Sequence, residues 1–194
     1  DAAGDAARDA ARLGESASLR EAATELELAW ADVILAQDAL ARGDREHAVG
    51  FLRSAVQRKS ARDALLWFSL AELALRAELP SEALPYLDRV PRPALSSPRG
   101  IALRTRIDLA LGRLDHAAQV LAEAQGDSPA LVLLRGDLAK RRGDHEGARA
   151  AYRRALTEPE TRKDAALSLS EVALAADAPQ DFRLALRTIG LANL

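Results

Sequence analysis

Residues 129–159 read PALVLLRGDLAKRRGDHEGARAAYRRALTEP, with small and apolar residues at regular intervals. Its second half places Ala148, Tyr152 and Ala155 at i, i+4 and i+7, which puts the three side chains on one face of a helix. Its first half carries a second stripe at helical spacing, formed by Val132, Gly136 and Ala139. A Gly-Asp pair lies between the stripes, where glycine can end one helix and aspartate can cap the next. The stretch therefore predicts two helices joined by a tight turn.

The same frame recurs along most of the chain. The residues that align with one another at intervals of 35, 34, 31 and 37 are Ala48, Ala83, Ala117, Ala148 and Ala185. Each of the first four opens an i, i+4, i+7 set, and another helix with its own stripe precedes it. Because self-similarity at this period is the signature of a solenoid, the chain is expected to be a stack of helix pairs.

The composition agrees with an all-helical fold. Ala and Leu, two strong helix formers, supply 43 and 33 of the 194 residues, whereas aromatic residues make up 4%. The chain contains no cysteine, which excludes disulfide frameworks and cysteine-based metal sites. Its formal net charge of −2 argues against a dedicated nucleic-acid binder. No apolar run approaches the roughly 18 residues that a membrane span needs.

This frame resembles the tetratricopeptide repeat, a pair of antiparallel helices that recurs about every 34 residues. The resemblance implies an all-α fold, a right-handed superhelical solenoid of antiparallel helix pairs. The second and fourth repeats carry it best, through Trp67, Leu70, Ala71 and Ala83 in one and Gly136, Gly143, Asp144, Ala148, Tyr152, Ala155 and Pro159 in the other. The predicted organisation is an N-terminal helical segment over 1–28, followed by repeats over 29–62, 63–97, 98–128, 129–161 and 162–194.

Two places depart from the frame. In the third repeat, Arg104 and Asp108 fall on the stripe that should face the core. They could pair with each other across one helical turn, but we expect instead that the helix is rotated. In the fifth repeat, the sequence has three extra residues near 176–180. Ala185 therefore aligns with the earlier alanines only if the loop between the two helices is longer.

No group of residues has the spacing that catalysis or metal binding requires. The three histidines, His47, His116 and His145, have no second ligand at i+3 or i+4 and are expected to be exposed polar residues. No serine lies in a Gly-x-Ser-x-Gly elbow, and the glycines lie singly rather than in a phosphate-binding loop. The chain is therefore predicted to be non-enzymatic, with no cofactor and no metal.

The resemblance implies a different kind of site, a groove in which the first helices of successive repeats bind a peptide or helix of a partner. Carried onto this chain, the groove stripe is apolar at its first end and basic further on. The residues predicted to contact the partner are Trp30, Val33, Phe68, Leu75, Arg76, Arg99, Arg106, Leu109, Leu133, Lys140 and Arg141. The expected partner is a protein or peptide with apolar anchors and acidic residues.

One specialised use of such a groove is not expected. Some members of the family bind a chaperone's terminal carboxylate with a Lys and Asn pattern, and Val33 and Gln37 stand where its first pair would be. We therefore expect a protein-interaction scaffold in a bacterial multiprotein assembly, such as an envelope, secretion, pilus or polysaccharide-export system. The alternative is a peptide-sensing or regulatory domain of a larger cytoplasmic protein. A helical-repeat RNA binder is disfavoured, because no basic excess is present.

Two further expectations concern the ends of the chain. The chain opens at Asp1 without an initiator methionine, so a periplasmic or membrane-anchored location is slightly favoured over a cytoplasmic one. The last helix ends in Leu184, Leu191 and Leu194 without a polar capping helix. Solenoids need a polar face at each end, so the terminal repeats are expected to self-associate or to continue into further chain.

Overall fold

The structure is a computed structural model, and it describes the backbone of residues 2–58 and 63–190 and the side chains of 21, 23–58 and 63–190. All regular structure in these ranges is helical. The helices are α1 (Ala2–Ala41), α2 (Arg45–Gln57), α3 (Ala64–Arg76), α4 (Pro80–Leu87), α5 (Arg92–Leu95), α6 (Pro98–Ala110), α7 (Leu114–Ala122), α8 (Pro129–Arg141), α9 (His145–Ala155), α10 (Arg162–Ala175) and α11 (Pro179–Thr188).

Ten of these helices form five pairs, α1 with α2, α3 with α4, α6 with α7, α8 with α9, and α10 with α11. The chain divides into two compact units, one that ends at Pro91 and one that begins at Arg92. The first unit contains two pairs, and α1 runs without a break from the predicted N-terminal segment into the first helix of the first repeat. The second unit contains three pairs, preceded by the single turn α5, which packs on α6.

A turn of three residues joins the two helices of every pair, at 42–44, 77–79, 111–113, 142–144 and 176–178. The middle residue of each turn has a positive φ, and these residues are Gly43, Glu78, Gly112, Gly143 and Asp177. The residue after it donates its backbone N–H to a carbonyl five residues back, as Asp144 does to Ala139 at 2.9 Å. This hydrogen bond is typical of a Schellman motif. It ends the first helix of each of the five pairs in the same way, directly before the second helix begins.

The expectation of a longer loop in the fifth repeat is wrong. The turn at 176–178 has the same length as the others, so the fourth residue of α11 is Phe182, in the place that alanines occupy in the other second helices. Ala185 is fully buried, but it lies three residues after Phe182 and so does not occupy the position of those alanines. The sequence concealed this turn because Asp177, rather than a glycine, adopts the left-handed conformation at φ 49°.

Small residues let the paired helices approach each other closely. A Cβ added to Gly136 on α8 would lie 2.6 Å from Cε1 of Tyr152 on α9, so the aromatic ring occupies the space that the glycine leaves. Tyr152 has no exposed area, and its hydroxyl donates a hydrogen bond to Oδ1 of Asp137 at 2.8 Å. In the second repeat, Trp67 is also buried, and the guanidinium of Arg89 lies 4.5 Å from its ring centroid.

We expect Tyr152→Ala to lower the free energy of unfolding by about 3–5 kcal/mol, because it removes a fully buried aromatic side chain. Gly136→Ala should cost about 1–3 kcal/mol in the parent, since its methyl group would overlap the ring. In a Tyr152→Ala background the same glycine substitution should cost much less. Urea denaturation followed by circular dichroism measures all three values, and an unchanged cost of Gly136→Ala would show that the two residues do not compete for space.

The turns lead to a second prediction. Asp177→Gly should raise the free energy of unfolding by up to about 1 kcal/mol, because the left-handed conformation is unfavourable for residues with a Cβ. Gly143→Ala should lower it by a similar amount for the same reason. Thermal melts of both variants test the pair, and a loss of stability on Asp177→Gly contradicts the assignment of strain to this turn.

Candidate protein-interaction surface

The residues predicted to line a groove in the first unit separate into two groups. Val33 and Phe68 are 1% and 4% exposed, so they belong to the core. The interpretation of these two as partner contacts is corrected, because both side chains are buried in a unit where α1 packs against α2 and α3. Trp30 and Leu75 are half-buried and Arg76 is exposed.

Trp30 links the first helices of the two pairs in this unit. Its indole N–H donates to Oδ2 of Asp63 at 3.1 Å, and Oδ1 of the same carboxylate accepts the backbone N–H of Leu65 at the start of α3. Two other large apolar residues lie on these first helices, Ile34 one turn after Trp30 and Leu65 itself. They are 61% and 59% exposed, so they offer apolar surface that the buried Val33 and Phe68 do not.

In the second unit, α6, α8 and α10 are the first helices of their pairs, and α8 contacts both of the others. Arg99, Arg106 and Arg141 are exposed or half-buried, as are Leu133 and Lys140. The predicted contact at Leu109 is corrected, because this residue is 4% exposed and lies in a core cluster with residues of α7 and α8.

Ion pairs within this unit already neutralise some of the basic side chains that were predicted to contact the partner. The ammonium group of Lys140 pairs with the carboxylate of Glu171 on α10. Arg106 and Arg141 have no ion pair within the described part of the chain. These two arginines are therefore cations of the predicted set that remain available to an acidic partner.

Two exposed leucines on α10 were missed by the sequence analysis. Leu167 and Leu174 lie 34 residues after Leu133 and Lys140 and are 44% and 72% exposed. The groove stripe extends to them if the fifth repeat keeps the 34-residue interval. The predicted groove stripe ended with the fourth repeat and did not include α10.

Polar groups at the base of this surface are tied into the core. Burial raises the pKa of the Asp137 carboxyl above its ordinary value, although the hydrogen bond from Tyr152 opposes this shift. Burial, followed by the nearby charge of Asp137, also raises the pKa of the Tyr152 hydroxyl. The hydroxyl therefore stays protonated and acts as a donor to Asp137, which makes this pair a structural link between α8 and α9.

The third repeat contains a buried polar cluster that the sequence analysis placed differently. Asp108 has no exposed area, and its Oδ2 lies 2.6 Å from Nδ1 of His116 and 3.4 Å from Nε of Arg104. The expected rotation of α6 is therefore wrong, since the helix keeps its frame and the carboxylate is compensated by these cationic or donor groups. The side chain of His116 is 44% exposed, as expected for a polar surface residue. It also contacts the buried carboxylate of Asp108, which the sequence analysis did not anticipate.

The chemistry of this cluster follows from the carboxylate. An ionised carboxylate only accepts hydrogen bonds, so an ionised Asp108 pairs with the His116 tautomer that carries a proton on Nδ1. A cleft of about 300 Å³ lies beside the cluster, lined by Leu95, Ser96, Ile101, Arg104, His116, Val120 and Glu123. His47 and His145, in contrast, are exposed as expected.

Neither a metal centre nor a membrane span is found in the described ranges. No group of three or more His, Cys, Asp or Glu side chains in these ranges is arranged to hold a metal ion. Within the same ranges, no helix combines the length and apolarity that crossing a membrane requires.

Comparison with known proteins supports the fold. No family model matches the chain, and no curated protein matches it. Among solved structures, it is similar to a thermophilic tetratricopeptide-repeat protein from Thermus thermophilus, with 21% sequence identity and a TM-score of 0.67. The match covers 84% of this chain and 89% of that chain. The chain therefore has a tetratricopeptide-type fold, an all-α solenoid of antiparallel helix pairs, as the sequence resemblance predicted.

The buried cluster of the third repeat yields a stability prediction. His116→Ala should lower the free energy of unfolding by about 1–3 kcal/mol, because it removes a donor from a carboxylate without exposed area. Asp108→Ala should cost less, since alanine occupies the equivalent position in the other first helices and the remaining cation and imidazole reach water.

His47→Ala is the matched control, because its side chain is 72% exposed and bonded only within its own helix start. We expect this variant to change the free energy of unfolding by no more than about 0.5 kcal/mol. Chemical denaturation compares the three, and a larger loss for Asp108→Ala than for His116→Ala would contradict the assignment of the cost to an unpaired buried carboxylate.

Proposed function

We propose that the chain is a protein-interaction scaffold that binds a segment of a partner protein on the exposed face of its first helices. The observation that carries this proposal is that the first helices of each unit expose large apolar side chains, Ile34 and Leu65 in the first unit and Leu167 and Leu174 in the second, which are between 44% and 72% exposed. Exposed apolar patches rimmed by polar residues mark interaction sites on soluble proteins.

The partner presents apolar anchors to this face, in the first unit beside Trp30 and Leu75 and in the second beside Leu133. It places acidic residues near the arginines Arg76, Arg106 and Arg141. Opposite charges at the rim of an interface mainly set orientation and association rate, whereas buried apolar anchors supply most of the affinity.

The biological setting is proposed in two forms that use the same face. In the first, the scaffold holds its partner in a bacterial multiprotein assembly of the envelope, secretion, pilus or polysaccharide-export kind. In the second, it is a regulatory domain that senses a peptide within a larger cytoplasmic protein. Neither form requires catalysis or a cofactor.

Self-association through the terminal repeats is a second use of exposed apolar surface. Leu184 on α11 is 42% exposed, which supports such a contact in part. Leu191 and Leu194, which the sequence analysis grouped with it, lie outside the described residues. In this proposal Leu184 serves contacts between copies, and Leu167 and Leu174 serve the partner.

Site-specific photo-crosslinking tests the proposed function. A benzophenone amino acid replaces Leu174 on α10 in one protein and Leu184 on α11 in a control, and each protein is irradiated in an extract of its source cells. We expect the Leu174 probe to give a discrete crosslinked protein that the Leu184 probe does not give. The same product from both positions, or none from probes at Leu174 and at Leu65, would contradict binding on the first helices.

A further inference from the structure

An ion pair joins successive second helices in both units, and it uses the same positions each time. In the first unit, Arg53, the ninth residue of α2, donates to Glu82, the third residue of α4, at 2.8 Å. In the second unit, Arg153, the ninth residue of α9, donates two hydrogen bonds of 2.6 Å to Asp181, the third residue of α11. Arg149, the fifth residue of α9, donates to the same carboxylate at 3.1 Å. The repeat therefore uses an arginine and a carboxylate to fix one second helix against the next.

The donor half of this ion pair recurs on α11. Its fifth and ninth residues are Arg183 and Arg187, the positions that Arg149 and Arg153 occupy on α9. Both side chains are exposed. Arg183 donates to the backbone carbonyl of Pro179, and neither arginine has an ion pair within the described residues. The two guanidinium groups are therefore available to a carboxylate outside the chain.

The acidic residues closest in sequence do not neutralise these arginines. Asp181 is bound by α9, and Glu171 on α10 pairs with a lysine of α8. The pKa of the Asp137 carboxyl on α8 is raised by burial and further by the charge of Asp164, so Asp164 lies on the α8 side of α10. Asp177, in the turn before α11, forms no ion pair with either arginine. The uncompensated charge on α11 is thus positive.

Apolar side chains lie beside the two arginines. Phe182 and Leu186 are the fourth and eighth residues of α11, and both are half-buried. The same positions on α9 hold Ala148 and Tyr152, which have no exposed area and share a core cluster with residues of α10. On α11 this side lacks such a neighbour among the described helices. We call the following residues the basic face: Phe182, Arg183, Leu186 and Arg187.

The side of a first helix that packs on the preceding pair is exposed on α1. Ala31 and Leu35, eleven and seven residues before the turn at 42–44, are both exposed, Leu35 by 43%. Leu169, seven residues before its own turn, is fully buried against α9. The residues eleven positions before the other four turns are all buried, and these are Leu66, Gly100, Leu131 and Ala165.

Acidic residues border this side of α1. Asp38 lies four residues before the turn and is 53% exposed, whereas the other first helices have buried apolar residues there. Asp44 and Glu46 follow at the start of α2, and Glu46 has no ion pair within the described residues. The arginines nearby are already paired, Arg42 with Asp38 and Arg45 with a glutamate of the second repeat. We call the following residues the acidic face: Ala31, Leu35, Asp38, Asp44 and Glu46.

Charge allows only one way of joining these two faces in pairs. Two basic faces would bring four unpaired guanidinium groups together, and two acidic faces would bring carboxylates together, so both symmetric contacts are repulsive. A basic face against an acidic face pairs opposite charges. It also brings apolar residues together at the positions that pack between successive repeats.

We propose that copies of this chain associate head to tail, with the basic face of one copy packed on the acidic face of the next as successive repeats pack within the chain. The apolar side chains of α11 cover Ala31 and Leu35, and its two arginines lie toward Asp38 and Glu46. Because the two faces differ, the contact is heterologous and can add further copies. This inference rests on the self-association included in the proposed function and deepens it by naming the two surfaces.

Disulfide trapping tests which faces meet, because the chain has no cysteine of its own. Leu35→Cys is introduced in one protein and Leu186→Cys in a second protein that carries a mass tag, and the mixture is oxidised mildly. We expect the mixed disulfide to exceed each symmetric product at least about fivefold, since a disulfide forms only between close Cβ atoms. Leu65→Cys, at an exposed leucine of α3, replaces Leu35→Cys in the control and should give no such excess.

Sedimentation measures the association without a crosslink, and we expect the mass of the parent to rise with its concentration. The third residue of α2 is His47, where α4 and α11 have the carboxylate that binds arginine. His47→Asp should therefore tighten the association at least about threefold, and Arg187→Glu should weaken it by a similar factor. Adding His47→Arg to Arg187→Glu reverses the ion pair and should restore it. The matched controls His145→Asp and Arg113→Glu, at exposed residues outside both faces, should change nothing.

A symmetric disulfide as the main product, or equal amounts of all three, overturns the head-to-tail contact. A constant monomer mass for both the parent and His47→Asp at every soluble concentration overturns it as well, as does tightening by His145→Asp equal to that by His47→Asp. If the probe at Leu174 crosslinks a protein while the parent stays monomeric, partner binding on the first helices stands and only the association of copies is wrong.

Discussion

The backbone bond that closes each three-residue turn is the constraint on which the rest of this structure depends. It ties the residue before the second helix to a carbonyl five residues back, as from Leu79 to Ala74 at 2.9 Å, and thereby fixes where the second helix begins. Once that start is fixed, the side chains that face the partner helix are determined by the helical period alone. The contact between Gly136 and Tyr152 is one consequence, and the recurring ion pair between successive second helices is another.

Where glycine supplies the turn, the sequence predicts the structure well. Gly43, Gly112 and Gly143 mark three turns, and the small residues around them predict which faces pack. The second repeat is predicted from its buried stripe instead, because Trp67 and Leu70 reveal the register that Glu78 does not. The fifth repeat has a buried stripe on α10, but its turn contains no glycine, so the alignment on Ala185 led to the wrong loop.

Buried charges are the second feature that local sequence patterns do not reveal. Asp108 interrupts a hydrophobic stripe, and its tolerance depends on His116, eight residues away on the next helix. Asp181, 3% exposed at the start of α11, accepts hydrogen bonds from Arg149 and from both Nε and Nη2 of Arg153 on α9. Each carboxylate would be costly alone and is acceptable only with partners from another helix. The polar character of Asp108 suggested that its helix is rotated, whereas contacts with the next helix keep this carboxylate inside.

At the candidate surface the error has the opposite sign, because residues predicted to be exposed are buried. Val33, Phe68 and Leu109 are apolar, as partner anchors are expected to be, but they are buried in the core of the helix pairs. The face that remains is built from residues that the core does not need, and Leu174 at 72% exposure is the clearest example. An exposed leucine contributes little to the burial that stabilises the fold, so substitutions there should separate partner binding from stability. This separation makes the first helices of the second unit a surface whose function can be tested without unfolding the protein that presents it.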